Sequence, residues 1–310
     1  MVSIVIVNWN SGPLLQRCVQ SLVRNAPGAE IVLVDNASED NSIRAALDAA
    51  PGCVALLNDR NLGFAVACNQ GWRGSAGDPV LFLNPDTEAE EGAVPRLENV
   101  LDGDRSLWAL GGQLIDGSGR PQVGFNIRSF PSLGSVAADT FLLDVLWPRN
   151  PWTRRYLMLG DSHQSFREVD QPAAACLMVR RQALEAVGGF DERFYPAWFE
   201  DVDLCRRIRD AGGRIAYEPR ARFRHHGGAS LAWLPQEKFL ECYHTNQCRY
   251  FNKHHGRKAG RRVRRLAIAG LWIRGVLSLI DPPRGRSRIE AFQTYRRSAL
   301  AIGRGTGGLT

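Results

Sequence analysis

The chain predicts an α/β protein built on an open, mainly parallel sheet with helices on both faces. Three observations carry that expectation. The β-branched runs "SIVIV" (3–7) and "EIVLVD" (30–35) show no polar alternation, as strands covered on both sides require. Segments with apolar residues at helical spacing fall between such runs through the first 120 residues, and strand–helix alternation of this kind means a doubly wound sheet. At 310 residues the chain can bury a full core as one large domain, or as one domain with an appendage.

The elements follow in order. Strand 3–7 leads into a helix in which Leu14, Leu15, Cys18, Val19, Leu22 and Val23 repeat at helical spacing, with Ser11 as its cap before Pro13. Strand 30–35 precedes helix 41–50, strand 53–58 precedes a helix containing "AVACNQGW", and strand "PVLFLN" (79–84) precedes a helix over 89–101. A strand "LWALGGQLID" comes next. From about 126 to 168 the pattern dissolves into Pro, Trp and Arg, and an irregular segment of that length predicts a functional loop. Order returns with "PAAACLMVRRQALEAVGGF", a strand and then a helix closed by Gly188-Gly189. A helix near 199–211, a strand "RIAYEP" and then "RFRHHGGAS" follow, and from about 235 the chain reads as helices with basic faces. No internal repeat is present.

Charge is unevenly placed. The formal net charge is +7, yet from Lys253 onward 14 Lys and Arg face only Asp281 and Glu290, a net of +12. The first 252 residues are therefore mildly acidic, at −5, so the tail has its own partner or solvation problem. Seven cysteines form no C-x-x-C pair and mostly sit in apolar contexts, which predicts reduced core thiols and a reducing compartment. The N-terminus "MVSIVIVNWN" lacks the basic region and length of a signal peptide.

Ligands of open α/β sheets bind at the carboxyl ends of the strands. Here those ends are polar: Asn8-Trp9-Asn10, Asp35-Asn36-Ala37-Ser38, Asn58-Asp59-Arg60-Asn61 and Asn84-Pro85-Asp86. One such end is ordinary turn chemistry, whereas four along one rim outline a polar pocket. A dinucleotide site is excluded, because "NWNSGPLL" lacks the G-x-G-x-x-G loop that lets backbone approach a pyrophosphate. A metal ion is then the expected way to hold a diphosphate, and Asp86 is the hard oxygen ligand in place for it. In "YPAWFEDVDLCRRIRDAGG" three acids open a helix. The macrodipole accounts for Asp203. Leu204, Cys205 and Ile208 form an apolar face with Asp201 at its edge, where a carboxylate gains a raised pKa suited to a general base. Of the adjacent His225 and His226, backbone geometry lets at most one be a ligand.

These segments, "SIVIVNWNS", "VDNASEDNS", "NLGFAVACNQG", "LFLNPDT", "GGFDERFYPAWFEDVDLCRRIRDAG" and "HHGGAS", resemble the inverting nucleotide-sugar glycosyltransferases of family 2, most closely the rhamnosyltransferase-like branch. The resemblance covers about residues 3–230 and implies a GT-A catalytic domain over 1–230. Within it, about 1–120 would bind the nucleotide-sugar and about 121–230 would hold the acceptor and catalytic part, with a basic helical region over 231–310. It implies that Asn8 and Asp35 meet the nucleotide, that Asn61, Gly63, Asn69 and Asn84 shape the donor pocket, and that Asp86 and His225 hold Mg2+ or Mn2+. Asp201 matches the catalytic base, with Glu200 and Trp198 beside it toward the acceptor. Asn84 departs from the pattern, since many members carry a first acid there and this chain an amide.

The implied reaction moves a sugar, with deoxythymidine-diphosphate rhamnose as the expected donor, to a hydroxyl of a glycan or polyprenyl-linked acceptor in cell-surface polysaccharide synthesis. An inactive sugar- or carrier-binding protein and a sugar nucleotidyltransferase are the competing readings. Retention of both Asp86 and Asp201 speaks against the first, and the missing basic glycine loop against the second. The run "NKHHGRKAGRRVRR" (252–265) lies directly before a 15-residue apolar stretch that falls short of the ~20 residues needed to span a bilayer. Residues 253–280 are thus expected to make peripheral contact with the inner face of the cell membrane, placing the protein in the cytoplasm, the alternative being a solvated basic helix packed on the catalytic body or a second subunit. No nucleic-acid motif accompanies the charge.

Overall fold

The structure is a computed structural model and describes residues 1–227 and 234–305. The expected end of the catalytic domain at 230, and Gly228, Ala229 and Ser230 of "HHGGAS", lie outside the described residues.

Strands β1 (Ser3–Asn8), β2 (Glu30–Asp35), β3 (Val54–Leu57) and β4 (Val80–Leu83) form a parallel block in the order β3-β2-β1-β4. Beyond it come β5 (Thr87–Ala89), β6 (Leu107–Ile115), β7 (Ile127–Arg128), β8 (Arg167–Glu168), β9 (Gln171–Pro172), β10 (Cys176–Val179) and β11 (Arg214–His225). The sheet continues from β4 as β10-β6-β11-β5, with β10 antiparallel to both its neighbours and β6 parallel to β11. β7 and β9 make a separate antiparallel pair. The helices are α1 (Pro13–Asn25), α2 (Ser42–Ala49), α3 (Phe64–Arg73), α4 (Ala93–Gly103), α5 (Leu133–Thr140), α6 (Leu143–Leu146), α7 (Pro151–Tyr156), α8 (Arg181–Val187), α9 (Glu200–Asp210), α10 (Gln236–Ser278) and α11 (Arg288–Arg304). The mixed, mostly parallel sheet flanked by helices, with helices at the C-terminus, is the architecture the sequence predicts.

The unbroken apolar runs explain the layering. Successive strand side chains point to opposite faces. Ile4 and Ile6 accordingly join Leu15, Val19 and Leu22 of α1 on one side, while Val5 and Val7 join Ala67 and Cys68 of α3 on the other. β1, β2 and β4 are buried along their length, so a polar side chain there finds water only at the strand ends, whereas β3 at the sheet edge is part-exposed.

Several expectations shift. Helix α1 begins at Pro13 with Gly12 as its N-cap, and Ser11 supplies no side-chain cap. The helix expected from 89 begins at Ala93, because Thr87–Ala89 pairs with β11 instead. β11 runs on from "RIAYEP" to His225, again through that pairing. The stretch from 126 to 168 contains three short helices, α5 to α7, too brief to show a period.

The chain gathers into two compact units. The first holds the sheet and comprises Met1–Phe130, Leu157–Pro196 and Glu200–Trp233. The second comprises Pro131–Tyr156, Ala197–Phe199 and Leu234–Thr310. In the second, α10 is broken at Gly256, where φ is +82°, and its later part packs antiparallel to α11. Arg264 donates to the Ile302 carbonyl at 2.8 Å near one end of that hairpin, and Leu271, Ala299 and Ile302 form its core.

Candidate active site

The polar ends of the parallel strands are built as a bonded rim. Asp35, at the end of β2, accepts from Asn8 Nδ2 at 2.7 Å and from the Ser38 hydroxyl at 2.7 Å through Oδ1, and from the Ser38 N–H at 2.9 Å through Oδ2. Asn8 is fully buried at the end of β1 and also donates to Ser42 at 2.8 Å, so it braces Asp35 from beneath. Asn58 and Gln70 exchange amide hydrogen bonds at 2.9 Å, and Asn58 donates to Asn36 as well. The turn after β2 is thereby tied to α3.

Asn61 and Gly63 close the next loop. Asn61 Oδ1 accepts from the Gly63 N–H at 2.9 Å. Gly63 has φ +88°, and a Cβ there would stand 2.8 Å from Tyr195 Cδ2 and 3.0 Å from the Pro196 carbonyl oxygen. That oxygen accepts from the Phe64 N–H at 2.7 Å, so a side chain would push the two loops apart. Asn69 is buried behind this contact. Its amide donates to the Phe190 carbonyl and to Glu192, and accepts from the Trp72 indole and the Phe190 N–H, all within 3.0 Å. Those four bonds use the whole capacity of the amide, so Asn69 acts by anchoring the 188–192 loop.

A second corner forms where β5 meets β11, with His225 opposite Thr87. This pairing brings His225 Nε2 to 3.4 Å from Asp86 Oδ1, both side chains being buried. Gln122 Nε2 donates to the His225 carbonyl at 2.8 Å, which turns its Oε1 toward His225 Nδ1, also at 2.8 Å. Nδ1 is therefore the donor to Gln122, and Nε2 faces Asp86. The Phe125 ring stacks on the imidazole at 5.1 Å. His226 points elsewhere, to Glu88 at 2.8 Å. Asn84 is half-buried, and its backbone bonds to Ala175 and Thr87 hold the turn that carries Asp86.

The third corner is the start of α9. Asp201 Oδ2 accepts from Gln171 Nε2 at 2.9 Å and from the Ala174 N–H at 3.4 Å, and Oδ1 from the Val202 N–H at 2.8 Å. Pairing of β7 with β9 sets Arg128 opposite Gln171. Desolvation raises the Asp201 pKa, and the Val202 N–H and the Arg128 charge pull it partly back. Glu200 is more deeply buried, and its Oε2 has no hydrogen-bond partner among the described residues. Burial first, and then the Asp201 charge, push its carboxyl well above the ordinary range. Asp203 has a role beyond the macrodipole, since it is fully buried and paired with Arg207 at 2.7 Å. Trp198 belongs to the second unit, where its ring meets Phe239 edge-on at 4.9 Å. Trp198 and Phe199 both hold positive φ, at 76° and 71°, in the two residues before α9.

Sequence reasoning missed Gln122, Phe125, Arg128 and Gln171. All four lie on or beside short segments without periodicity, close to the ends of the stretch from about 126 to 168 where the α/β pattern dissolves.

A divalent cation fits the Asp86–His225 corner. Asp86 Oδ1 and His225 Nε2 face each other at 3.4 Å, and a carboxylate and a neutral imidazole so placed can share one cation. The Gln122 bond orients His225 as partners of ligating histidines do. Among the described residues no group of three or more His, Cys, Asp and Glu could hold a metal alone. The donor set therefore suits an ion whose shell is completed by phosphate oxygens and water, as Mg2+ commonly requires.

Residues 3–188 match the family model described as glycosyl transferase family 2. The chain is 32% identical over 270 residues to the N-acetylglucosaminyl-diphospho-decaprenol L-rhamnosyltransferase of Mycobacterium tuberculosis, covering 83% of this chain and 86% of that protein. It is 24% identical to the rhamnosyltransferase WbbL of Escherichia coli K12, covering 74% of this chain and 86% of that one. Among solved structures, GalNAc-T7 with UDP, GalNAc and Mn2+ superposes with a TM-score of 0.59 at 19% identity, over 97% of this chain and 54% of that chain. At that identity the likeness concerns the fold, which is GT-A.

Proposed function

The chain belongs to glycosyl transferase family 2, a family of transferases, and on that premise we propose that it is an inverting enzyme moving rhamnose from deoxythymidine-diphosphate rhamnose to a hydroxyl of a polyprenyl-diphosphate-linked glycan. The relatives named for rhamnosyl transfer support the donor, and the first of them, named for a decaprenol-linked substrate, supports the acceptor. A peripheral position at the membrane that carries such an acceptor accords with this reading, and among the described residues no helix is long and apolar enough to cross a membrane.

The observation that carries the mechanism is Asp201, a carboxylate with a raised pKa, fixed by Gln171 and by two backbone N–H groups. Asp201 takes the proton of the acceptor hydroxyl as that oxygen forms a bond to the anomeric carbon. The bond from that carbon to the diphosphate breaks on the opposite face, and the nucleoside diphosphate leaves with the electron pair. Asp201 is suited to this because a base poised nearer neutrality accepts a proton better than an ordinary aspartate. Asp35, braced by Asn8 and Ser38, reads the nucleotide, while Asn61, Gly63 and Asn69 set the loop that borders it. Asn84 shapes the turn beside the donor. Glu200, whose carboxyl pKa burial raises, and Trp198 are the residues assigned to the acceptor side. Asp86 and His225 hold Mg2+ or Mn2+, which when bound neutralises charge developing on the leaving diphosphate.

The test is Asp201→Asn. Transfer should fall at least about a thousandfold, within the range that loss of a general base produces, while donor affinity by calorimetry stays within about twofold. Turnover comparable to wild type would remove Asp201 from the mechanism. A donor panel with and without Mn2+ and Mg2+ tests the sugar and the ion in the same assay.

A further inference from the structure

The second unit exposes two groups of large apolar residues. At the turn between α10 and α11, Val276, Leu277, Leu279 and Ile280 are exposed, Ile280 at 73%, and Ile289 in the first turn of α11 is 66% exposed. α6 and its flanks add Phe141, Val145, Leu146 and Trp147, with Leu146 at 76%. These two groups belong to one structure. Asp139 at the end of α5 pairs with Arg274 at 3.0 Å, and the Thr140 hydroxyl donates to the Leu266 carbonyl at 3.4 Å. α6 therefore starts beside the last turns of α10. Trp272, also part-exposed, packs against Phe292 of α11 and continues the apolar surface along the hairpin.

The surroundings are cationic. Arg284, Arg286 and Arg288 are exposed in and after the turn. Of the nearby acids, Glu290 is engaged in the capping box with Ser287, and the exposed Asp281 and Asp144 are outnumbered by the exposed Arg149, Arg284, Arg286 and Arg288. A surface that combines protruding apolar residues, tryptophan and exposed arginine matches the boundary between acyl chains and anionic headgroups. A second copy of the chain fits less well. Pairing the same tip with itself would bring two arginine clusters together inside a tail whose net charge is +12.

We propose that the apolar tip of the α10–α11 hairpin, with α6 beside it, is a docking surface for an anionic lipid bilayer, the tip entering the headgroup layer and the arginines meeting lipid phosphates. The contact thus centres on 272–289 and 141–147. The basic run 253–265, where the inward-facing residues Ala259 and Val263 are buried, presents charge without an apolar edge. This deepens the reading above, because a lipid-linked acceptor is presented at such a surface, but it is read out without any donor or acceptor.

The experiment is flotation of the full chain with phosphatidylcholine vesicles, with and without phosphatidylglycerol. Wild type should float with the phosphatidylglycerol vesicles and progressively less as salt is raised. The double variant Leu146→Asp, Ile280→Asp should lose at least about tenfold in vesicle affinity, and its thermal melt should match wild type because both side chains are exposed. Arg284→Gln, Arg286→Gln, Arg288→Gln should lose severalfold on anionic vesicles alone. Lys253→Gln, Lys258→Gln, Arg261→Gln should change binding by less than about twofold if the tip is the contact. Wild type that fails to float with anionic vesicles, or a double aspartate variant that floats like wild type, overturns the proposal. So does a concentration-dependent dimer in light scattering that the aspartate pair abolishes, since that assigns the surface to a second copy. Vesicle binding with no sugar transfer would sink the transferase reading and leave this one standing.

Discussion

Asp201 sits under two opposing influences, and they make its ionisation testable. Desolvation raises its pKa, and the Arg128 charge works against that rise. Replacing Arg128 by Met removes the opposing charge, so the Asp201 pKa climbs further. In its proposed role as general base Asp201 works only when deprotonated, so the acidic limb of kcat/KM against pH should move to higher pH, with activity on the alkaline side retained. A limb that stays in place would show that the Arg128 charge does not reach Asp201. The position of Asp201 at the edge of the buried face was legible from spacing, because Leu204, Cys205 and Ile208 mark the inward face of α9. Gln171 and Arg128 were not legible, because their relation to Asp201 depends on the pairing of two two-residue strands. A two-residue strand has no period to read.

Helix α3 shows how an element is held in place by a residue that contributes no side chain. Gly63 begins it at φ +88°, against Tyr195 and the Pro196 carbonyl. Gly63→Ala should cost roughly 1–3 kcal/mol and lower donor affinity, because the added methyl both strains the backbone and separates the two loops. Gly92→Ala is the comparison, since Gly92 also has positive φ, at +71°, but a Cβ there meets nothing within 4 Å. Thermal unfolding of the two variants separates the backbone cost from the steric one, and equal losses would show that the Tyr195 loop yields freely. Of the elements, β1 to β4 and the helices between them were readable because each carries its own burial pattern. β5, with three residues, and the short helices α5 to α7 carry too little pattern to show, and the helix expected from 89 was misplaced for that reason.

Across the molecule, the cysteines report how complete the core is. All seven are free, six are buried and Cys53 is half-buried. Burial raises every one of their pKa values, those of Cys176 and Cys248 to about 12. The native protein should therefore react with a thiol reagent at no more than one cysteine promptly at mildly alkaline pH, and at all seven once unfolded without reductant. Several fast native thiols would mean that the layers on either side of the sheet open readily, and fewer than seven on unfolding would reveal a disulfide.

The amino-acid order alone determined the fold class, the placing of polar residues at the strand ends and the family resemblance. It could do so because apolar periodicity records which faces leave water, and that property is local to each segment. The assembly of the site was settled by contacts far apart in the chain. β10 enters the sheet antiparallel between β4 and β6, and β11 pairs with β5, so that His225 reaches Asp86 and Gln122, 103 residues earlier, orients its ring. A strand's own sequence encodes that it will be buried, while its neighbour and direction are chosen by the packing of the whole sheet.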